Sequence, residues 1–338
     1  MFDFMFGLVL RNAQAGGLPL QGTEIAAKWD TLYGFLFWLS VFFFILIVGG
    51  MIYFAVKYRH QKGHRTKYIT GNHSLEIVWT VIPTVLLLVI FSWGYYVYRA
   101  MVQAPPGAYE IRVIAKQWMW QFQYDDGRLT LGEVFVPMNQ PVKMVMSSED
   151  VLHSFFIPNF RVKQDVVPGM YTTVWFEATV PGRHQIFCAE YCGTSHSEML
   201  ANLYVLEPGE WEAWKKGKKP TSVASGGGTG STQAPTGALA LGGLAEQGKK
   251  LMTTKGCLAC HSDDGSPKVG PSYKGIYGHK VEFVDGSSTT VDDNYLRESI
   301  ENPQAKVVKG FAPVMPPFKG LLSEDEMNAI LAYIKSLK

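Results

Sequence analysis

Two long runs of the chain carry no charged residue. Between Asp30 and Lys57 the core reads YGFLFWLSVFFFILIVGGMIYFAV, and between Glu76 and Arg99 the chain reads IVWTVIPTVLLLVIFSWGYYVY. Each is about 22 to 26 residues, enough at a helical rise of about 1.5 Å per residue to cross a hydrocarbon layer roughly 30 Å thick. Both are apolar on every side, which core helices of this length in soluble domains rarely are. They predict a hairpin of two transmembrane helices within residues 31–99, spanning about residues 33–56 and 77–98, after an N-terminal outer segment at 1–30. Beyond it the pattern becomes an alternation broken by Pro/Gly turns, with candidate strands YEIRVIAKQWMWQFQY, PVKMVMSS, MYTTVWFEA, RHQIFCA and MLANLYVLE. Residues 100–214 therefore predict a small all-β sandwich or barrel. Residues 215–242 are too rich in Gly, Ser, Thr and Ala to bury a core and predict a flexible linker. Residues 243–338 predict a small all-α domain, ending in an amphipathic helix behind a Ser323/Glu326 capping box.

Charge adds orientation. The net charge of the 338-residue chain is +2, so bulk electrostatics give no reason to expect nucleic acid. The segment between the spans, KYRHQKGHRTK, carries Lys57, Arg59, Lys62, Arg65 and Lys67 and no acid. The positive-inside rule places it in the cytoplasm, so both termini and everything after Arg99 fall on the outer, periplasmic face of a bacterial inner membrane. Trp38, Trp79 and Trp93, near the span ends, suit interfacial anchors. The first fifteen residues hold a short apolar run and an Ala-Gln-Ala before Gly16 but no basic n-region, and so decide neither for nor against a cleaved leader.

Cys257 and Cys260 stand in CLACH, the C-x-x-C-H pattern that attaches a c-type haem through two thioethers, with His261 aimed at the iron. A zinc site would need a second Cys/His cluster downstream, and none follows. A thioether as sixth ligand raises the reduction potential. Met252 lies too close to the attachment site to reach the opposite face, and Met327 lies in the terminal helix. Met315, in the turn-rich FAPVMPPF, has the freedom to point inward. CLACH, GPSYKGIYG, the VMPPF loop and the final helix follow one another as in the class I cytochrome c family, which this part of the chain resembles. The resemblance implies that the carbonyl of Pro271 holds the proximal imidazole.

The other two cysteines, Cys188 and Cys192, lie in CAEYCGTSHSEM. A disulfide between them would close a very short loop and gain little entropy. His196 and Met199 follow at once, and His153 lies upstream in SSEDVLHSFFIP. Thiolate, imidazole and thioether together select soft or borderline metals, copper above all. A single blue-copper site would leave one thiolate without a role, whereas two bridging thiolates with two histidines suit a copper pair. Zinc bound by Cys2His2 is the second reading, and it leaves Met199 unexplained.

The pattern C-x-E-x-C-x3-H-x2-M, with its upstream histidine, closely resembles subunit II of haem–copper cytochrome c oxidases across residues 20–210. The resemblance implies a cupredoxin fold and the dinuclear centre CuA. Cys188 and Cys192 would bridge the coppers, His153 and His196 would each bind one, and Met199 and the backbone carbonyl of Glu190 would be the weak ligands. It further implies a Mg2+ site on the Glu190 side chain, shared with subunit I, and electron entry at Trp118. Glu76, in the family's E-x-x-W-T-x-x-P element, would stand at the entrance of a proton channel.

Phe122, Tyr124 and Trp120 read as core or supporting positions on the face shared with Trp118, and Asp165 reads as a turn or partner-contact residue. His60, His64 and His73 read as loop residues, and His184 and His279 show no ligand spacing. The implied whole is the electron-entry subunit of a terminal respiratory oxidase of the caa type, partnered by subunits I and III and by membrane lipid. Its upstream donor would be a cytochrome c or a quinol:cytochrome c reductase. Electrons would pass from its own fused haem c through CuA to the O2-reducing site, coupled to proton translocation. The alternatives are the electron-entry subunit of a CuA-containing nitric oxide reductase and a membrane-anchored copper–haem carrier. A linker of about 30 residues would give the haem a root-mean-square reach near 30 Å, so delivery by a freely sampling tether is the expectation, with little dependence on ionic strength.

Overall fold

The computed structural model describes residues 17–60, 62–63, 68, 70–221 and 241–337. Most of the Gly/Ser-rich linker, the N-terminal segment whose processing is in question, and His64, Arg65 and Lys67 lie outside the described residues. The chain divides into two units, residues 1–104 with 159–161, and the remainder.

The first unit holds α1 (Glu24–Lys57) and α2 (His73–Val102), both long and apolar enough to cross a membrane. Each helix extends past its uncharged run because a side chain caps it outside that run. Thr23 Oγ1 accepts from the Ala26 N–H, and Asn72 Oδ1 from the Leu75 N–H. Phe35 and Trp93 pack ring against ring between the helices, with centroids 5.4 Å apart. Asp30, the last charge before the first run, is buried and takes a two-point hydrogen bond from Arg161 at 2.8 and 2.9 Å.

The second unit starts with ten strands in two five-stranded sheets. They are β1 (Tyr109–Lys116), β2 (Met119–Gln123), β3 (Leu129–Leu131), β4 (Glu133–Pro137), β5 (Pro141–Ser148), β6 (His153–Ile157), β7 (Val162–Val166), β8 (Thr172–Glu177), β9 (Gly182–Cys188) and β10 (Leu200–Leu206). The sheet orders are β3-β2-β1-β5-β8 and β4-β10-β9-β6-β7, with β1/β5 and β4/β10 parallel and the other pairs antiparallel. The arrangement is cupredoxin-like, and β5 alternates buried and half-buried residues along its whole length, as a strand facing one core must. The short helix α3 (Pro208–Lys215) closes this domain, stacking Trp211 and Trp214 at 5.0 Å beside Tyr124 and Phe135.

Two expectations are corrected here. YEIRVIAKQWMWQFQY is a hairpin, not one strand. Lys116 pairs with Met119 across a turn at Gln117 and Trp118, and this brings the aromatic face of β2 back over the core. Asp165 lies in β7 rather than in a turn, paired with Ser154 of β6. The buried Val162 and Val166 hold that strand in the sheet, and the turn comes later, at Pro168 and Gly169.

The C-terminal domain has α4 (Leu241–Thr254), α5 (Cys257–Cys260), a two-stranded β11/β12 (Lys280–Glu282, Ser288–Thr290), α6 (Asp293–Glu301) and α7 (Glu324–Ser336). Gly248 lets α4 cross α7 closely, since any Cβ there would strike the Ala329 carbonyl. The capping box is present in full, with the Ser323 side chain accepting from the Glu326 N–H and the Glu326 carboxylate accepting from the Ser323 N–H.

Candidate functional site

The copper-type donors come from two neighbouring strands and one loop. His153 opens β6 and Cys188 closes β9, and the register pairs Phe155 with Cys188. The loop 189–199 leaves β9 and returns into β10. It is held at its base by the Cys188 N–H on the Met199 carbonyl (3.2 Å) and the Ala189 N–H on the Ser154 carbonyl (2.9 Å).

Within that frame all six predicted donors converge. Cys188 Sγ lies 3.8 Å from Cys192 Sγ, 3.9 Å from His153 Nδ1 and 3.2 Å from the Glu190 carbonyl oxygen. Cys192 Sγ lies 3.5 Å from His196 Nδ1 and 3.7 Å from Met199 Sδ. His153, Cys188 and Cys192 can place their donor atoms within 4.8 Å of one another, and all three are buried. Thiols at this separation are not bonded to each other. Two sulfurs, two imidazole nitrogens, a thioether and a carbonyl are a donor set that fits copper.

The electrostatics divide the two cysteines. Burial alone would raise both. For Cys188, hydrogen bonds with His153 and backbone groups more than offset it and lower the thiol to about 6. Cys192, buried beside that thiolate, is pushed up to about 12. Asp150 supports the centre from behind. Its carboxylate accepts from His153 Nε2 (2.8 Å), from the Gln117 N–H (2.8 Å) and from the Val151 N–H (2.7 Å). Burial pushes Asp150 up, but these three bonds leave it below the usual carboxylate range.

Trp118 sits directly beside the ligand loop. Its indole N–H and the Gln117 amide both donate to the Cys192 carbonyl, at 3.2 and 2.6 Å. Gly193, with φ +120°, makes that approach possible, because a Cβ there would meet both side chains. Trp120 is fully buried with its ring edge-on to His153 and to Phe155. Phe122 and Tyr124 are core residues, and His184 is a buried core histidine bonded to the Val180 carbonyl.

In the C-terminal domain a cavity of about 380 Å³ is lined by Cys257, Cys260, His261, Met315, Ile300 and Phe318, with Trp118 in its wall. His261 Nδ1 lies 2.7 Å from the Pro271 carbonyl, and its ring stacks on Tyr273 at 4.5 Å. That bond fixes the tautomer and leaves Nε2 free for a metal. Burial lowers the His261 pKa and keeps the imidazole neutral. Gly270 has to be glycine, since a Cβ would come within 2.5 Å of the His261 ring. Gln304 donates to the Pro313 and Met315 carbonyls and pins the methionine loop. Met252, set aside as a ligand, is wholly buried in the core of this domain. An apolar cleft with two thiols on one helix turn and an imidazole and thioether on its walls fits a covalently bound haem.

Glu190 is half-buried. Glu76 occupies the first turn of α2, partly exposed, with His73 Nδ1 3.4 Å from its carboxylate. The sequence reading passed over Asp150, Gln117 and Gly193. Asp150 could have been found from its place three residues before His153, but Gln117 and Gly193 reach the site only through the hairpin turn.

Residues 13–95, 128–205 and 245–338 match three family models. In order, these are described as the transmembrane domain of cytochrome C oxidase subunit II, the periplasmic domain of the same subunit, and cytochrome c. The chain is 32% identical over 306 residues to cytochrome c oxidase subunit 2 of Alkalihalophilus pseudofirmus, covering 87% of this chain and 83% of that one. It is 27% identical to cytochrome c oxidase subunit 2 of Bacillus subtilis, over 85% of this chain and 82% of the relative. It is also 29% identical to an alternative cytochrome c oxidase subunit 2 of Bradyrhizobium diazoefficiens, over 62% of this chain and 87% of the relative.

Proposed function

Because the chain belongs to the cytochrome c oxidase subunit 2 family, and carries a fused cytochrome c domain, we propose the residue-level assignment of its electron-entry function. It is a membrane-anchored subunit with an outer domain, a copper and haem protein that works with the oxidase's subunit I. The relatives are oxidase subunits, which agrees with the oxidase reading rather than with a nitric oxide reductase or a free carrier.

Cys188, Cys192, His153, His196, Met199 and the Glu190 carbonyl would hold the copper pair CuA. Cys257 and Cys260 would carry a haem c by thioethers, and His261 and Met315 would hold its iron. When bound, these groups supply one-electron chemistry between a cytochrome-type donor and subunit I. The protein's own residues fix the geometry. Asp150 orients His153 through Nε2 and the Pro271 carbonyl orients His261. The place of Trp118 between the wall of the haem cleft and the Cys192 carbonyl supports its reading as the electron-entry residue.

The Glu190 carboxylate would hold Mg2+ against subunit I, since hard cations take carboxylate oxygen. Glu76 stands at the proton-channel entrance. Both spans cross the inner membrane, both termini lie outside, and subunit III, lipid and a cytochrome c or quinol:cytochrome c reductase donor complete the partners.

The convergence of six donors from β6, β9 and one loop is the observation that carries this assignment. Its test is purification of the native complex, with its haem spectrum, copper and magnesium content, and O2 against NO consumption. Two coppers lost together in C188S and C192S support the assignment. A spectrum of haem c alone, with no haem of a partner subunit, removes it.

A further inference from the structure

We infer that Gly132, Glu133 and Lys255 form a seat that holds the haem-bearing domain against the Trp118 turn, making them positioning residues for electron entry. The inference rests on the proposed role of Trp118, but the seat itself is read from packing. Lys255 follows α4 and stands two residues before Cys257, the first cysteine of the attachment turn. Its Nζ lies 2.9 Å from Glu133 Oε2, at the start of β4, with side chains only 7% and 15% exposed. A charge this buried is tolerated only when paired, so the two domains satisfy each other here.

Beside the pair, Gly132 has φ +67°, and any Cβ would overlap the Thr254 carbonyl oxygen at the end of α4. The cupredoxin backbone and the haem domain thus touch where only glycine fits. Met119 and Leu131 are buried in one apolar cluster with Met252 and the core of the haem domain. A freely sampling tether would leave both in water.

Two further contacts join the copper-ligand loop to the attachment helix. Ser195 Oγ donates to the Ala259 carbonyl at 2.5 Å, and Lys268 reaches both Glu198 (2.9 Å) and the Leu258 carbonyl (2.5 Å). Ser195 and Glu198 flank His196, so the contact runs from the residues beside a copper ligand to those between the two haem cysteines. The interface has an apolar centre, a buried ion pair and a close backbone approach, which is the anatomy of a specific surface rather than of a collision.

The test uses the full chain with both cofactors loaded. Hydrogen exchange is measured over residues 130–134 and 252–258, and electron equilibration after rapid photoreduction of the haem is followed in parallel. K255E and E133K, one in each domain, should each raise exchange at least tenfold in both segments and slow equilibration at least fivefold. The reversed pair, E133K with K255E, should recover most of both, and G132V should behave like the single reversals. A retained haem spectrum checks folding in every variant.

Unchanged exchange in K255E and E133K overturns the seat. Raised exchange with an unchanged rate overturns its positioning role, and a reversed pair that recovers neither reading removes the ion pair as the lock. If equilibration is absent even in the parent chain while exchange still responds, the seat stands and the electron-entry reading of Trp118 falls.

Discussion

At the residue scale, Asp150 connects the two functions of the copper face. One carboxylate takes the outer nitrogen of His153 and the N–H of Gln117, whose neighbour is Trp118. D150N keeps the shape but loses the charge behind a ligand imidazole. Copper affinity should drop about 10- to 100-fold, as for other residues that orient metal-bound histidines, read by competition with a chelator. Unchanged affinity would show that the backbone alone holds His153.

The split thiols make a second prediction. With Cys188 at about 6 and Cys192 at about 12, the copper-free pair at about pH 9 holds one proton, and below about 6 it holds two. Copper needs both thiolates and neutral imidazoles. Burial pushes His153 down, but its bonds to Cys188 and Asp150 prevail and raise it. The protons displaced per site should therefore fall from more than two in acid towards one at about pH 9. A pH-indicator titration checks the count, and a constant value would contradict the split.

The donor set was legible in the sequence because the family pattern fixes residue types at short spacing. Asp150 was visible only as an i, i+3 neighbour of His153. Gly193 and Gln117 were not, since their roles exist only after the hairpin has folded back.

At the element scale, strands with strict alternation and a clear turn, such as β5, were readable, while β6 and β7 were not. Both are five residues long with no clean alternation, and they are defined by pairing with each other and, for β6, with the distant β9. The hairpin at Gln117 and Trp118 was hidden because no Gly, Pro, Asn or Asp marks the turn in AKQWMW. The start of α7 was legible because its capping chemistry is local, whereas the Thr23 and Asn72 caps of α1 and α2 lie outside the apolar runs and were not read.

The Ser323/Glu326 box is a case that can be measured. S323A should cost the haem domain about 1 kcal/mol, seen as a fall of several degrees in its thermal midpoint. Burial pushes Glu326 up, but the Ser323 N–H and the Lys255 charge prevail and hold it below its ordinary value. For a carboxylate lowered by folding, the stabilisation is complete above its unfolded pKa and is lost as pH falls through the lower folded one. The contribution of Glu326 should therefore be flat above about pH 5 and fade in acid. E326Q should differ from the parent at neutral pH and converge with it as the pH drops. A gap that widens in acid would reverse the sign.

At the scale of the whole molecule, the question is what delivers the haem to Trp118. Composition predicted a tether, and a tether sets an effective concentration that falls roughly as the −3/2 power of its length. Doubling residues 215–242 should then slow electron equilibration about threefold if sampling is limiting. A seated domain behaves differently. The buried Lys255–Glu133 pair and the apolar contact of Met119 and Leu131 hold the bound state, and linker length alters only how fast it forms. A chain with the doubled linker should therefore equilibrate at the parent rate.

Salt separates the contacts again. Lys268–Glu198 is partly exposed and screened, whereas Lys255–Glu133 is buried and screened much less. Raising ionic strength from about 0.01 M to 0.5 M, where the Debye length shrinks from about 30 Å to a few ångström, should change the parent rate by less than twofold. In K255E the seat is lost and delivery reverts to the tether, so the doubled linker should now slow the reaction. Linker sensitivity in the parent, or none in K255E, would mean that the haem domain reaches Trp118 by diffusion after all.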